Sequence, residues 1–142
     1  MWWVACGAVL AGLSVAAGAF GAHGLKGRLA NDLKLSADES AHQEAARRLE
    51  IFDTAARYHM YHAIAVVLTG LAATRRSSIW LTVGGSLFVA GILVFCGCLY
   101  AMALGAPRIL GAVVPFGGVG FILGWICLAI AAVQAAGEGI AS

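Results

Sequence analysis

RYHMYHAIAVVLTGLAA, residues 57–73, is the stretch whose reading decides the fold. Its last eleven residues are as apolar as lipid, while its first six hold an arginine, two tyrosines and two histidines. A helix that crosses a bilayer takes about 20 residues, so the apolar part alone is short. With Arg57, Tyr58, His59, Tyr61 and His62 counted as an interfacial mouth, it is long enough. Aromatic residues with a polar handle suit the headgroup level. The reading is therefore a membrane span over 57–73 that opens on a wet interface.

Three further runs flank it. Residues 2–22 carry no charge, and residues 79–104 and 110–136 are each long enough to cross a membrane. The first run ends in small residues, as a secretory signal does, but it lacks the basic start of one; it is read as a retained span. Linkers as short as TRRSS and GAPR force antiparallel neighbours. In lipid each backbone polar group needs a partner within its own segment, so these runs are helices. The expected fold is all-α: a single integral membrane four-helix bundle over residues 1–142.

Composition agrees. The chain is 61% hydrophobic and 11% charged, with a mean hydropathy of +0.89, against roughly a quarter charged in soluble domains. A net charge of +2 is too weak a bias to imply nucleic acid. Cys6, Cys96, Cys98 and Cys127 all lie in apolar runs, where cysteine behaves as a small hydrophobe. Positions two apart diverge by about 200° around a helix. Cys96 and Cys98 are therefore not expected to share a metal.

Six of the nine basic and six of the seven acidic residues fall between Lys26 and Arg57. In this polar segment, residues 24–56, Leu25, Leu29 and Leu33 repeat every four residues. Ser36 to Glu39 matches a capping box with serine as the cap. Ala45, Leu49, Phe52 and Ala56 then recur at helical spacing. The pattern predicts an amphipathic helix lying in the membrane interface, with Asp53 restarting the helix at a bend. Glycine punctuates the spans. In lipid, close backbone approach and dispersion hold helices together. Gly120 and Gly124, four apart, are the expected close contact, near Gly117 and Gly118. The alternative is that glycine is simply common in membrane helices.

GAFGAHGL (18–25), FDTAARYHMYHAIAVV (52–67), GCLYAMAL (97–104) and VVPFGGVGFILGW (113–125) occur in that order. Together they resemble the transmembrane protein 256 / YgdD family over nearly the whole chain. The resemblance implies a small four-spanning protein of bacterial inner membranes or mitochondria, with no activity assigned. Where that family tends to show S-G-S-L-Y, this chain has Cys96-Gly97-Cys98-Leu99-Tyr100; T-P-I-G-G is here Val114-Pro115-Phe116-Gly117-Gly118.

Three histidines are the candidate chemistry. His23 ends span one, and His59 and His62 share a face of span two. If the three converge, they suit haem or a transition metal. If not, they are interfacial residues, hydrogen-bonded to Arg57, Asp53 or loop carbonyls. Enzyme motifs are missing: no phosphate-binding loop and no H-E-x-x-H. Pro115 marks either a kink, as in a transporter's broken helix, or a first helical turn. The expectation is a non-enzymatic accessory or scaffold subunit without a cofactor, surrounded by lipid and forming a homo-oligomer or part of a larger membrane complex. The alternatives are a metal- or haem-binding protein and a small transporter or channel. The side of the membrane holding residues 24–57 and Arg108 carries seven Lys and Arg; the other carries Arg75 and Arg76. The positive-inside rule then places both termini outside the cytoplasm.

Overall fold

A computed structural model describes residues 1–33 and 38–140. Among them there are no strands. The first rod is α1 (Trp2–Ala19), a π-turn (Phe20–Leu25) and α2 (Lys26–Leu33). The second is α3 (Glu39–Arg75). The third is α4 (Ile79–Gly91), a second π-turn (Ile92–Cys96) and α5 (Gly97–Ala103). A 3-10 turn (Arg108–Ala112) leads into the fourth, α6 (Val114–Ile140). Pro115 stands in the first turn of α6, where its missing N–H is harmless; it makes no mid-helix break.

Three rods are long and apolar enough to cross a membrane: Trp2–Asp32, Ile79–Ala103 and Arg108–Gly137. Their outward faces carry Val9, Leu13, Leu93, Ile122 and Val133, all exposed. Soluble monomers rarely expose so continuous an apolar surface. The rod that misses the apolar standard is α3, and its position explains why. It packs on α1 along one side and on α4 and α5 along another. Ala55, Ala63, Ala65, Val66 and Thr69 are fully buried on it. Tyr61, Ile64, Leu68 and Leu71 keep one face of it outward, and the faces packed on protein carry His59, His62 and Thr69. Thr69 Oγ1 settles its hydrogen bond on the Ala65 carbonyl, at 2.8 Å.

The crossing of α1 on α3 is made by glycine. A Cβ on Gly7 would stand 2.7 Å from the Val67 nitrogen, and one on Gly70 would stand 2.6 Å from the Val4 nitrogen. Ser14 Oγ also donates to the Ala56 carbonyl at 2.9 Å, a hydrogen bond between the two rods. On the other side, α4 meets α6 through Gly84, Gly91, Gly117 and Gly124. The expected Gly120–Gly124 pair needs correcting. Gly124 and Gly117 are the tight positions, against the Phe88 ring and the Phe95 backbone, with Phe121 buried between them. A Cβ on Gly120 would have ordinary room, 3.5 Å from the Leu87 carbonyl, and Gly118 is looser still.

The polar segment is also corrected. It does not lie flat as an interfacial helix, and Asp53 restarts nothing: α3 runs unbroken from Glu39 to Arg75. At a rise of about 1.5 Å per residue, α3 is about 55 Å long, well beyond a bilayer core of about 30 Å. Its amino-terminal turns and α2 form a hairpin that continues the first two rods. Leu25 and Leu29 are buried with Ala45, Phe52 and Ala103, so the apolar stripe serves helix pairing. Asp38 caps α3, accepting from the Ser40 amide at 3.0 Å and the Ser40 hydroxyl at 2.6 Å. The Ser40 hydroxyl, and after it the amide, holds the Asp38 carboxyl below its ordinary range. The expected cap, Ser36, and the side chain of Leu33 lie outside the described residues.

This hairpin grips the end of α5. Gly105, at φ +106, takes the left-handed conformation that a helix stop needs. Its N–H donates to the Met102 carbonyl, and the Ala106 N–H donates to the Ala101 carbonyl, which closes a Schellman cap. That leaves the Ala103 carbonyl, which accepts from Arg48 Nε at 2.7 Å. Arg108 reaches Glu44 at 2.7 Å. Cys96 is fully buried and Cys98 half-buried. Ser86 and Thr69 each bond the carbonyl four residues back.

Candidate functional site: a buried histidine–aromatic cluster

The inward face of α3 carries His59 and His62, which are 7% and 6% exposed. Three residues apart, they lie on one helical face. His62 Nδ1 is 2.7 Å from the Tyr58 carbonyl. A carbonyl only accepts, so Nδ1 carries the proton and Nε2 is the acceptor. The ring stacks on Phe121 of α6, with centroids 3.4 Å apart and planes 8° from parallel. Tyr58 stands at 6.0 Å with planes 21° apart, and Phe88 and Trp125 stand at 5.9 and 6.3 Å.

His59 is held less well. Its Nδ1 is 3.4 Å from the Tyr100 hydroxyl, a long hydrogen bond. Its Nε2 is buried with no partner among the described residues. Tyr100 in turn packs on Phe52 at 4.9 Å, and Phe52 on Phe20 at 5.9 Å. The second π-turn supplies Phe95, which meets Tyr58 at 5.0 Å and Phe121 at 5.5 Å. A π-turn adds a residue to one helical turn and so rotates the side chains beyond it to a new face. Here it turns Phe95 toward α3 and α6 and buries Cys96.

One expectation about the histidines changes. His23 does not join the pair. It is exposed on the first π-turn, where neighbouring Gly21 touches Phe52. Phe52 lies seven residues before His59, about 10 Å along α3. Among the described residues no three His, Cys, Asp or Glu side chains are grouped to hold a metal ion. His62 stands 13 residues before Arg75, the end of α3, which is about 20 Å at helical rise.

The other polar residues of the stretch face outward. Arg57 pairs outward with Asp53 at 2.9 Å, with both side chains mostly exposed; such pairs contribute little. Tyr61 is 56% exposed, and Tyr58 is 41% exposed. Neither Arg57 nor Asp53 bonds a histidine; the partners are the Tyr58 carbonyl and the Tyr100 hydroxyl. The arrangement fixes a tautomer and closes rings around the imidazoles. Phe88, Phe121, Trp125 and both π-turns were not visible in the sequence, since they stand in runs that are apolar all round.

A family model described as "Protein of unknown function (DUF423)" matches residues 17–118. The chain is similar to UPF0382 membrane protein YwdK of Bacillus subtilis, at 39% identity over 90% of this chain and 93% of that protein. It is also similar to UPF0382 membrane protein SERP0230 of Staphylococcus epidermidis, at 40% identity over 92% of this chain and 94% of that protein. A third relative, UPF0382 membrane protein SAB0533 of Staphylococcus aureus, is 37% identical over 92% of this chain and 94% of that protein. No solved structure matches the chain significantly.

Proposed function

This chain belongs to the DUF423 family of membrane proteins, and from that premise we propose a four-helix integral membrane bundle that acts as an accessory or scaffold subunit, without a reaction of its own. The finer kinship with the transmembrane protein 256 / YgdD family is part of the same proposal. One observation carries the reading. The most chemically capable side chains, His59 and His62, are closed in by Tyr58, Phe88, Tyr100 and Phe121. What the chain offers outward is an apolar belt and a polar helical hairpin. The metal or haem reading loses support because His23 is exposed and level with Phe52. The transporter reading loses support because Pro115 sits in a first turn.

The partner is a second copy of the chain or a larger membrane complex. Light scattering on protein extracted in mild detergent tests this against the 14.6 kDa chain mass. The expected mass is a multiple of that value, or a co-purifying complex. A monomer at every detergent and concentration would sink the scaffold reading.

We place the protein in the bacterial inner membrane with both termini outside the cytoplasm. The seven basic residues on the hairpin side support that orientation. A carboxy-terminal alkaline phosphatase fusion should be active and a matching fluorescent protein fusion dark. The opposite pattern reverses the topology.

A further inference from the structure

We propose that the groove between the first π-turn and α3 is a binding site for an anionic phospholipid. The groove has a volume of about 260 Å³ and is lined by Gly18, Gly21, Ala22, Lys26, Phe52 and Asp53, among others. The proposal rests on the membrane-spanning reading above and adds to it a ligand class and a place.

The groove has a polarity gradient. Its glycine and alanine end lies on the apolar stretch of the first rod, and Lys26 stands one to two turns further on, where α2 begins. Gly18 to Lys26 is eight residues, about 12 Å of helix. That matches an amphiphile whose chain lies along Gly18 and Ala22 and whose head meets the ammonium.

The charge balance selects the head. Asp53 is already paired with Arg57 at 2.9 Å. Lys26 has no hydrogen-bond or ion-pair partner among the described residues. Asp53, Arg57 and Lys26 therefore sum to one net positive charge at the groove mouth. A phosphodiester with no compensating ammonium of its own complements that charge; a zwitterionic head brings a second cation.

The site arises from the small residues. Gly21 lies against the Phe52 ring, where a Cβ would come within 2.7 Å, so the groove floor is fixed by contact. A Cβ on Gly18 meets nothing within 4 Å, so the groove is open there. A larger side chain at Gly18 would fill the groove without moving either helix.

Native mass spectrometry of the delipidated full chain tests the proposal. Phosphatidylglycerol and phosphatidylcholine of equal chain length are offered, with inorganic phosphate as a separate competitor. One lysine near a charged lipid surface contributes about fivefold in affinity. Phosphatidylglycerol should be retained over phosphatidylcholine by about that factor. Lys26→Gln should bring the two to near parity, and Gly18→Leu should lower retention of both while elution volume and helicity stay unchanged. Equal retention of the two lipids by the unaltered chain overturns the site, as does a preference that survives Lys26→Gln. Displacement by inorganic phosphate at the lipid's own concentration also overturns it, because the acyl chain would then play no part. Alkaline carbonate extraction of membranes separates the two levels. A chain that resists extraction yet shows no lipid preference sinks this site alone; a chain that is released sinks the spanning reading.

Discussion

Gly70→Ala is expected to lower the stability of the chain by about 2–3 kcal/mol, at the upper end of the usual overpacking range. The added Cβ would stand 2.6 Å from the Val4 nitrogen and 2.7 Å from Val4 Cγ2. The first of these is backbone, so no rotamer change relieves it, and α1 must move off α3. In lipid the loss is not recovered elsewhere, because dispersion at close approach is what holds the two helices together. Gly12→Ala is the matched control. It lies on α1, exposed, with nothing within 4 Å of its Cβ, and should change stability by less than about 0.5 kcal/mol. Thermal midpoints in mild detergent, read from the surviving elution peak, should separate the two variants by many degrees. Equal midpoints would mean that α1 and α3 do not cross at Gly7 and Gly70.

The second large effect is expected at His62. Its hydrogen bond goes to a carbonyl of its own helix, which also accepts the ordinary helical N–H. Removing the ring therefore leaves no orphaned acceptor. What is lost is the face-to-face contact with Phe121 and the enclosing contacts with Tyr58 and Phe88. An aromatic pair contributes about 0.5–1.5 kcal/mol beyond its buried area. With the lost hydrogen bond, at about 0.5–1.5 kcal/mol, His62→Leu should cost about 1–3 kcal/mol. His62→Gln should cost nearly as much, since it keeps a donor but not the stack. His59→Leu should cost less than either. It gives up only a 3.4 Å bond to Tyr100 and relieves a buried Nε2 that no described protein group satisfies. Chemical denaturation of the three variants in one detergent orders them. A His59→Leu more damaging than His62→Leu would show that Nε2 is held by something that matters to the fold.

The helical class and three long apolar helices were legible because length and polarity alone define them. Residues 57–73 were harder to read. Their histidines looked like an interface, and only the packing around α3, with Phe121 of α6 stacked on His62, shows that they are enclosed. The leucines of the polar segment announced an amphipathic helix, yet their spacing says nothing of what covers the stripe. It is covered by α3 and the end of α5, with Arg48 on the Ala103 carbonyl. His23, His59 and His62 share one end of their spans by topology. Sharing an end does not bring side chains together, and helical rise separates His23 from the pair.

What the amino-acid sequence determined by itself is that the chain is helical and that three of its segments are long and apolar enough to cross a membrane. Those properties come from local backbone needs and from apolar length. The tertiary structure decided which face of each helix is inside, which glycines meet and which aromatic rings enclose the histidines. The reason is physical. In water, a polar face and an apolar face mark outside and inside along every helix. In lipid both sides of a span are apolar, and α1, α4 and α6 carry no such contrast. Their facing is set by shape: Gly7 on Val67, Gly117 on Phe95 and Gly124 on Phe88. Such contacts exist only between helices already placed side by side.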